Sequence, residues 1–284
     1  PIKPADPVTN MFIKFNIIKK IKYSLSIIVS IYLFYRISKG IYFNFNDLEI
    51  LSGKELFLVI LLLIFFPIFY LLTNKLIYLV NHIKKIDFNN SFKATIIAYN
   101  YNLFLPAKSG DFFRYKYLDL NISFKNFFNI NVIEKLISLF VLTLFVIISY
   151  SNLDFIDINF ISLNYFYFTY YFFLLLSIYL LFIFSKKENF FIIKILKLSF
   201  FDLSIWIFQF LQIIIIMNIL EINIDINKII FIFGSAIIFG LIPISIGGFG
   251  VRDYVIFYLF ENMNIEANII LSLIHISEPT RLGM

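Results

Sequence analysis

Three stretches without one charged residue limit what this chain can become. Residues 160–184 run for 25 positions, 203–220 for 18 and 229–251 for 23. A helix crossing about 30 Å of hydrocarbon needs about 20 such residues. The remainder agrees, with 61% of residues hydrophobic and 15% charged, against about a quarter charged in a soluble domain. Abundant Phe, Ile, Asn and Lys point to an AT-biased coding sequence, which inflates hydropathy. The charge-free runs survive that correction. The expected fold is all-α, a polytopic transmembrane helix bundle.

The loop charges orient it. Lys14, Lys19, Lys20 and Lys22 precede a short first span, 23–35, and place the N-terminus in the cytoplasm by the positive-inside rule. A second span, 56–72, carries Pro67 as a kink and leads to Lys75, Lys84, Lys85 and Lys93. A third, 132–150, reaches a loop with Asp154 and Asp157 and no base. The fourth, within 160–184, returns to Lys186, Lys187, Lys194 and Lys197, and the fifth, 203–220, ends at Glu221 and Asp225. Basic and acidic loops alternate as a consistent topology requires.

Two segments break the pattern. Residues 94–106 are apolar but short, carry two Asn and run into "PAKSGDFFR". Near the other end, 229–242 runs into "PISIGGFGVRD". Short apolar segments interrupted by Gly and Pro, in matching positions of two halves, point to a transporter's central site. Both are expected to be re-entrant, broken segments in inverted halves, the first dipping in from the cytoplasm and the second from outside. The alternative is a pair of ordinary spans with loop residues at their ends. Irregular backbone at membrane depth must line a cavity or be covered by protein. Gly110, Gly247, Gly248 and Gly250 would let the backbone take φ > 0 or approach a ligand. Helices starting after Gly110-Asp111 or after Gly250 would offer free N–H groups to an anion, phosphate above all. Arg114 and Arg252 could add bidentate bonds to phosphate oxygens, with Lys108 nearby. Asp111 reads either as a plain N-cap or as part of that site, and Arg252–Asp253 either as a site or as an interfacial charge pair. Glu134-Lys135 opens the third span as an intramembrane acid or a cheaply placed interfacial one. Trp206, Gln209 and Gln212 form a stripe on the fifth span, best explained by helix–helix hydrogen bonding.

Several function classes fall away. Cys is absent and two His lie far apart, so no metal site, disulfide or thiol nucleophile is expected. No phosphate-loop, dinucleotide, zincin or hydrolase motif occurs, and no cofactor is implied. The net charge of +6 clusters beside apolar segments and suits anionic headgroups, not nucleic acid.

Three elements resemble the transmembrane family named after lysylphosphatidylglycerol synthase, often called flippase-like. Leu105, Pro106, Lys108, Gly110, Asp111 and Arg114 match its L-P-x-(R/K)-x-G-(E/D)-x-x-R element, with Asp where many members have Glu. Val132, Ile133, Glu134 and Lys135 echo its V-x-x-E-(R/K) helix start at tighter spacing. Pro243, Gly247, Gly248, Gly250 and Asp253 fit its P-x-x-x-G-G-x-G-x-x-(E/D) element. The resemblance covers about Lys14 to Ile274. It implies an integral protein of a prokaryotic inner or plasma membrane that moves or handles phosphate-bearing lipids.

The expected organisation is a non-native or disordered leader, 1–10, a single transmembrane domain, 11–274, truncated at its C-terminal end, and a non-native tail, 275–284. That tail resembles translated adapter sequence; a genuine polar tail is the alternative. The expected function is flippase-like translocation of an anionic or aminoacylated phospholipid, with Arg114, Arg252, Lys108, Gly110, Asp111, Glu134, Gly247, Gly248, Gly250 and Asp253 as the binding set. A transporter is favoured over an enzyme. A membrane enzyme or accessory acting on polyprenyl-phosphate sugars is the runner-up, with a separate synthase or glycosyltransferase as partner. A non-catalytic scaffold is the third reading.

Overall fold

The computed structural model describes residues 54–81, 85–118, 124–152, 160–187, 192–241 and 250–261. The expected first span, both termini, Pro243, Gly247 and Gly248 lie outside the described residues. Eight α-helices occur among the described residues: α1 Glu55–Val80, α2 Phe88–Phe104, α3 Arg114–Tyr117, α4 Phe124–Ser151, α5 Phe160–Lys187, α6 Ile192–Ile219, α7 Ile226–Gly240 and α8 Val251–Glu261. A 3-10 segment, Pro106–Phe113, joins α2 to α3. No strand occurs among these residues, and the all-α expectation holds.

Among the described residues, three helices are long and apolar enough to cross a membrane: Leu56–Val80 of α1, Phe124–Ser151 of α4 and Ile193–Ile219 of α6. Each extends beyond the span read from hydropathy, because a helix continues into the polar zone while its hydrogen bonds are made. α1 runs unbroken through Pro67. Phe168–Phe184 of α5 and all of α7 are shorter apolar helices. Large apolar side chains such as Leu62, Phe66, Phe168, Phe182 and Phe200 stand exposed, which only a lipid solvent makes cheap.

The first broken segment differs from its expected form. A helix of 17 residues, α2, begins at Phe88 rather than Ala94, and it is about 26 Å long. It stops where proline chemistry requires. Leu105 is extended, at φ −103° and ψ 139°, because the ring of Pro106 disfavours the helical region before it. Pro106 then opens the 3-10 turns, where its missing N–H costs nothing. The 3-10 segment doubles back along α2, and Tyr101 stacks on Phe113 with ring centroids 4.3 Å apart. This close return explains Gly110. A Cβ there would lie 2.6 Å from the Asn102 backbone nitrogen and 2.7 Å from the Ala98 carbonyl. Gly110 serves approach between two backbones; the positive φ expected among the glycines occurs at Gly250, φ 85°.

α4 is central and packs on α5, α6 and α7, while α1 packs on α6 and α2 and α8 lies on α7. In lipid, helices associate by close contact and not by fleeing water. Gly234 of α7 accordingly meets the Val146 side chain of α4, where a Cβ would collide. Two apolar cores result. One gathers Val146, Met217, Phe231, Ile256 and Phe260. The other gathers Leu76, Leu79, Phe127, Ile133, Ile137 and Leu198. Between them runs a layer of charge.

Candidate functional site: a closed charge cluster

Six ionisable side chains from five elements meet in that layer. Lys75 comes from α1, Asp111 from the 3-10 segment, Arg114 from α3, Glu134 and Lys135 from α4 and Asp202 from α6. Lys75 Nζ lies 2.8 Å from Asp202 Oδ1 and 3.4 Å from Glu134 Oε1. Arg114 reaches Glu134 Oε2 through Nη1 at 3.0 Å and Asp111 Oδ1 through Nη2 at 2.8 Å. Lys135 pairs with the other Asp111 oxygen, and Asn102 Nδ2 donates to Asp111 Oδ1 at 3.0 Å. Five of the six are buried, and Lys135 is partly exposed.

Helix register puts these charges at one level. The charge-free lengths of α1, α4 and α6 (56–74, 136–151 and 203–219) all lie on the same side of the cluster. α1 and α6 run antiparallel, since Lys54 at the start of α1 donates to the carbonyl of Ile219 at the end of α6. The cluster therefore floors the hydrocarbon zone, at the end of the bundle that carries exposed Lys85, Lys125 and Lys197. Glu134, expected near an interface, is 4% exposed, because α4 continues ten residues below it and α1, α3 and α6 close around it. Burial of this kind costs several kcal/mol per ion before pairing repays it.

The cluster lines a cavity of about 140 Å³, walled also by Thr95, Tyr99, Ser138, Trp206, Gln209 and Ile237. Among the described residues, buried Arg114 Nε has no hydrogen-bond partner, and neither has Asn102 Oδ1. Both belong to side chains that line this cavity. A second cavity of about 110 Å³ holds Arg252, Gln212 and Phe65 and shares Tyr99, Gln209 and Ile237 with the first. A third space, an apolar groove of about 950 Å³ between α1 and α2, is lined by Phe65, Phe66, Tyr70, Phe92 and Tyr99. Tyr99 borders all three.

The sequence-read residues thus divide. Gly110, Asp111, Arg114 and Glu134 come together. Gly250, Arg252 and Asp253 form a separate group at the start of α8, where Arg252 Nε and Nη2 both bond Asp253 Oδ1, at 3.0 and 2.9 Å. Asp253 Oδ2 also accepts the Gly250 N–H at 3.0 Å, half of a capping box. The Lys108 side chain, like Gly247 and Gly248, lies outside the described residues. Two expectations need correcting. No extended helix opens after Gly110-Asp111, since 3-10 turns pass into a single four-residue turn, so no helix dipole aims at the cavity there. Asp111 is no N-cap but an ion-pair partner of Arg114 and Lys135. The fifth-span stripe faces inward, with Gln209 on both polar cavities. Gln212 Nε2 makes no hydrogen bond, against the helix–helix bonding expected of it.

Lys75 and Asp202 escaped the sequence reading. Lys75 looked like one more cytoplasmic base. The available signal for Asp202 was a lone acid between the Lys194/Lys197 stretch and the charge-free run that starts at Leu203.

The profile of the family described as "Lysylphosphatidylglycerol synthase TM region" matches residues 24–277, and the chain belongs to that family. It is an integral membrane protein. No curated protein and no solved structure matches the chain.

Proposed function

We propose that this protein translocates or handles a phosphate-bearing lipid, with the headgroup entering the charge-lined cavity and the apolar tail lying in the α1–α2 groove. One observation carries the reading. Arg114 is buried, has an unsatisfied Nε and lines a cavity that shares Tyr99 with a large apolar groove. A polar pocket joined to an apolar slot suits an amphiphile better than a soluble ion. A guanidinium suits phosphate because its donors match two oxygens at once. Arg252 and Gln212 in the adjoining cavity give a second polar station separated from the first by Gln209. Two stations on opposite sides of one side chain are what passage between leaflets needs. Positive charge at the cluster end supports a cytoplasmic position for that end in a prokaryotic cell.

The test is reconstitution of the full chain in liposomes carrying a fluorescent anionic phospholipid, an aminoacylated one or a polyprenyl phosphate. Quenching of the outer leaflet reports exchange. Exchange of at least one of these above protein-free liposomes supports the proposal; a rate equal to protein-free liposomes for all three overturns it. Arg114→Lys, which keeps the charge and loses the fork, should slow exchange about tenfold or more, the loss of one bidentate phosphate contact.

A further inference from the structure

The cluster is electrically closed. Lys75, Arg114 and Lys135 oppose Asp111, Glu134 and Asp202, and among the described residues no other ionisable side chain but the Tyr99 phenol lines the cavity. An anion entering this space adds a net negative charge to a buried, neutral site, which desolvation penalises heavily. The three cations there are already paired with carboxylates, and Arg114 Nε is their one group left without a hydrogen bond among the described residues. Something must enter with the anion or leave ahead of it.

The three carboxylates are not held alike. Asp111 faces two cations, Arg114 and Lys135, and also Asn102. Glu134 faces Arg114 and Lys75. Among the described residues Asp202 has Lys75 as its one cationic partner, with Ser138 of α4 beside it and Glu134 adding a like charge. The same cavity is lined by Tyr99 of α2 and by Asp111, Arg114 and Lys135. Asp202 is thus the carboxylate from which a negative charge is most easily removed. Its neutralisation would release Lys75, already 3.4 Å from Glu134, to satisfy Glu134 fully. Arg114 would then be free to turn Nη1 from Glu134 toward the anion beside its unused Nε.

Resting on the lipid-phosphate reading, we propose that each singly charged phosphate headgroup binds together with one proton, which Asp202 takes up from water, while the shift of pairing from Lys75–Asp202 to Lys75–Glu134 frees Arg114 for the anion. One proton crosses from solvent to a carboxylate oxygen, no covalent bond changes in the lipid, and the occupied site stays neutral. The protein is then a proton-coupled binder, and a proton gradient could drive it.

Trp206 makes this measurable. It is the chain's single tryptophan and lines the same cavity, so its fluorescence reports occupancy. The full chain in nanodiscs of zwitterionic lipid is titrated with dihexanoyl phosphatidylglycerol, whose phosphodiester keeps one charge between pH 6 and 8. Uptake of one proton predicts an association constant that falls toward about tenfold per pH unit on the alkaline side. Asp202→Asn, nearly isosteric, should flatten that dependence and bind more tightly than the parent at pH 8. In weakly buffered solution with an indicator dye, the unaltered protein should take up one proton per lipid bound, a measurement that needs no variant. Affinity that ignores pH, a slope that tracks sodium instead, or a slope retained in Asp202→Asn would each overturn the coupling while leaving the lipid site standing. Absence of any Trp206 response and of leaflet exchange at every pH would remove the lipid reading itself.

Discussion

Cost and purpose separate most clearly at single residues. A buried ion pair is weak evidence for stability, since well-packed apolar replacements often do as well, whereas removing one partner typically costs about 3–5 kcal/mol. Lys75→Met alone should therefore lower the unfolding midpoint sharply by leaving Asp202 uncompensated, while Lys75→Met with Asp202→Leu should recover most of the loss. Thermal unfolding in detergent checks both, and a double variant that is stable but inactive in leaflet exchange would locate the cluster's purpose in function. Gly110→Ala tests a different force. Its Cβ would press on the α2 backbone at 2.6–2.7 Å, and neither strand of this return can yield cheaply, so a loss of about 1–3 kcal/mol is expected, seen as a lower unfolding midpoint. Asp111, Arg114 and Glu134 were legible in the sequence because polar residues beside Gly and Pro stand out in an apolar chain. Lys75 and Asp202 were not, because each resembles an ordinary flanking charge and their 127-residue separation closes only in the folded bundle.

Elements end here by rules that a linear reading captures unevenly. Pro106 foretold the end of α2, but not its start six residues ahead of the expected segment, since the polar first turn from Phe88 looks like loop. The fifth span was read to residue 220, one past the Ile219 that ends α6, but the way the helix closes was not legible. It closes in a Schellman motif, with Ile222 N–H donating to the Met217 carbonyl at 3.0 Å and Glu221 N–H to the Asn218 carbonyl at 3.2 Å. Glu221 holds the C′ position at φ 59°, where glycine is the usual occupant. Lys54 pairs with it at 2.8 Å, an exposed contact worth little. Glu221→Gly should then raise stability, by up to about 1 kcal/mol, as the left-handed strain is relieved. The hydrogen bond from Lys54, and then its charge, holds the Glu221 carboxyl below its ordinary range. A carboxyl lowered in the folded state adds stability that is present above its ordinary pKa and is lost as pH falls through the lowered value. Glu221→Gln should remove that slight acid-side loss and leave unfolding at neutral pH nearly unchanged, which parallel unfolding curves at pH 3 to 7 would show.

Across the whole molecule, the two ends of the bundle differ in charge, and that difference ties the site to an orientation. Lys85, Lys116, Lys125 and Lys197 stand exposed near the cluster. At the opposite end Lys54, Glu221 and Asp225 mix both signs. Tyr150 near the end of α4 packs on Phe231 in the first turns of α7, with ring centroids 5.4 Å apart, so Asn152 shares the Asp225 end. Loop bases are retained on the cytoplasmic face during insertion, and the charge cluster should then open toward the cytoplasm, where a newly made lipid and the coupling proton would meet it or leave it. The chain contains no cysteine, so single thiols can be added without background. Lys125→Cys and Lys197→Cys should resist a membrane-impermeant maleimide in sealed right-side-out cells and react after the membrane is opened. Asn152→Cys and Asp225→Cys should react at once. The reverse pattern would invert the topology and place the cluster outside, where proton uptake would accompany loading from the outer leaflet. Equal labelling of both sets in sealed cells would mean that the helices do not hold one orientation, and charge placement would then have no bearing on the direction of movement.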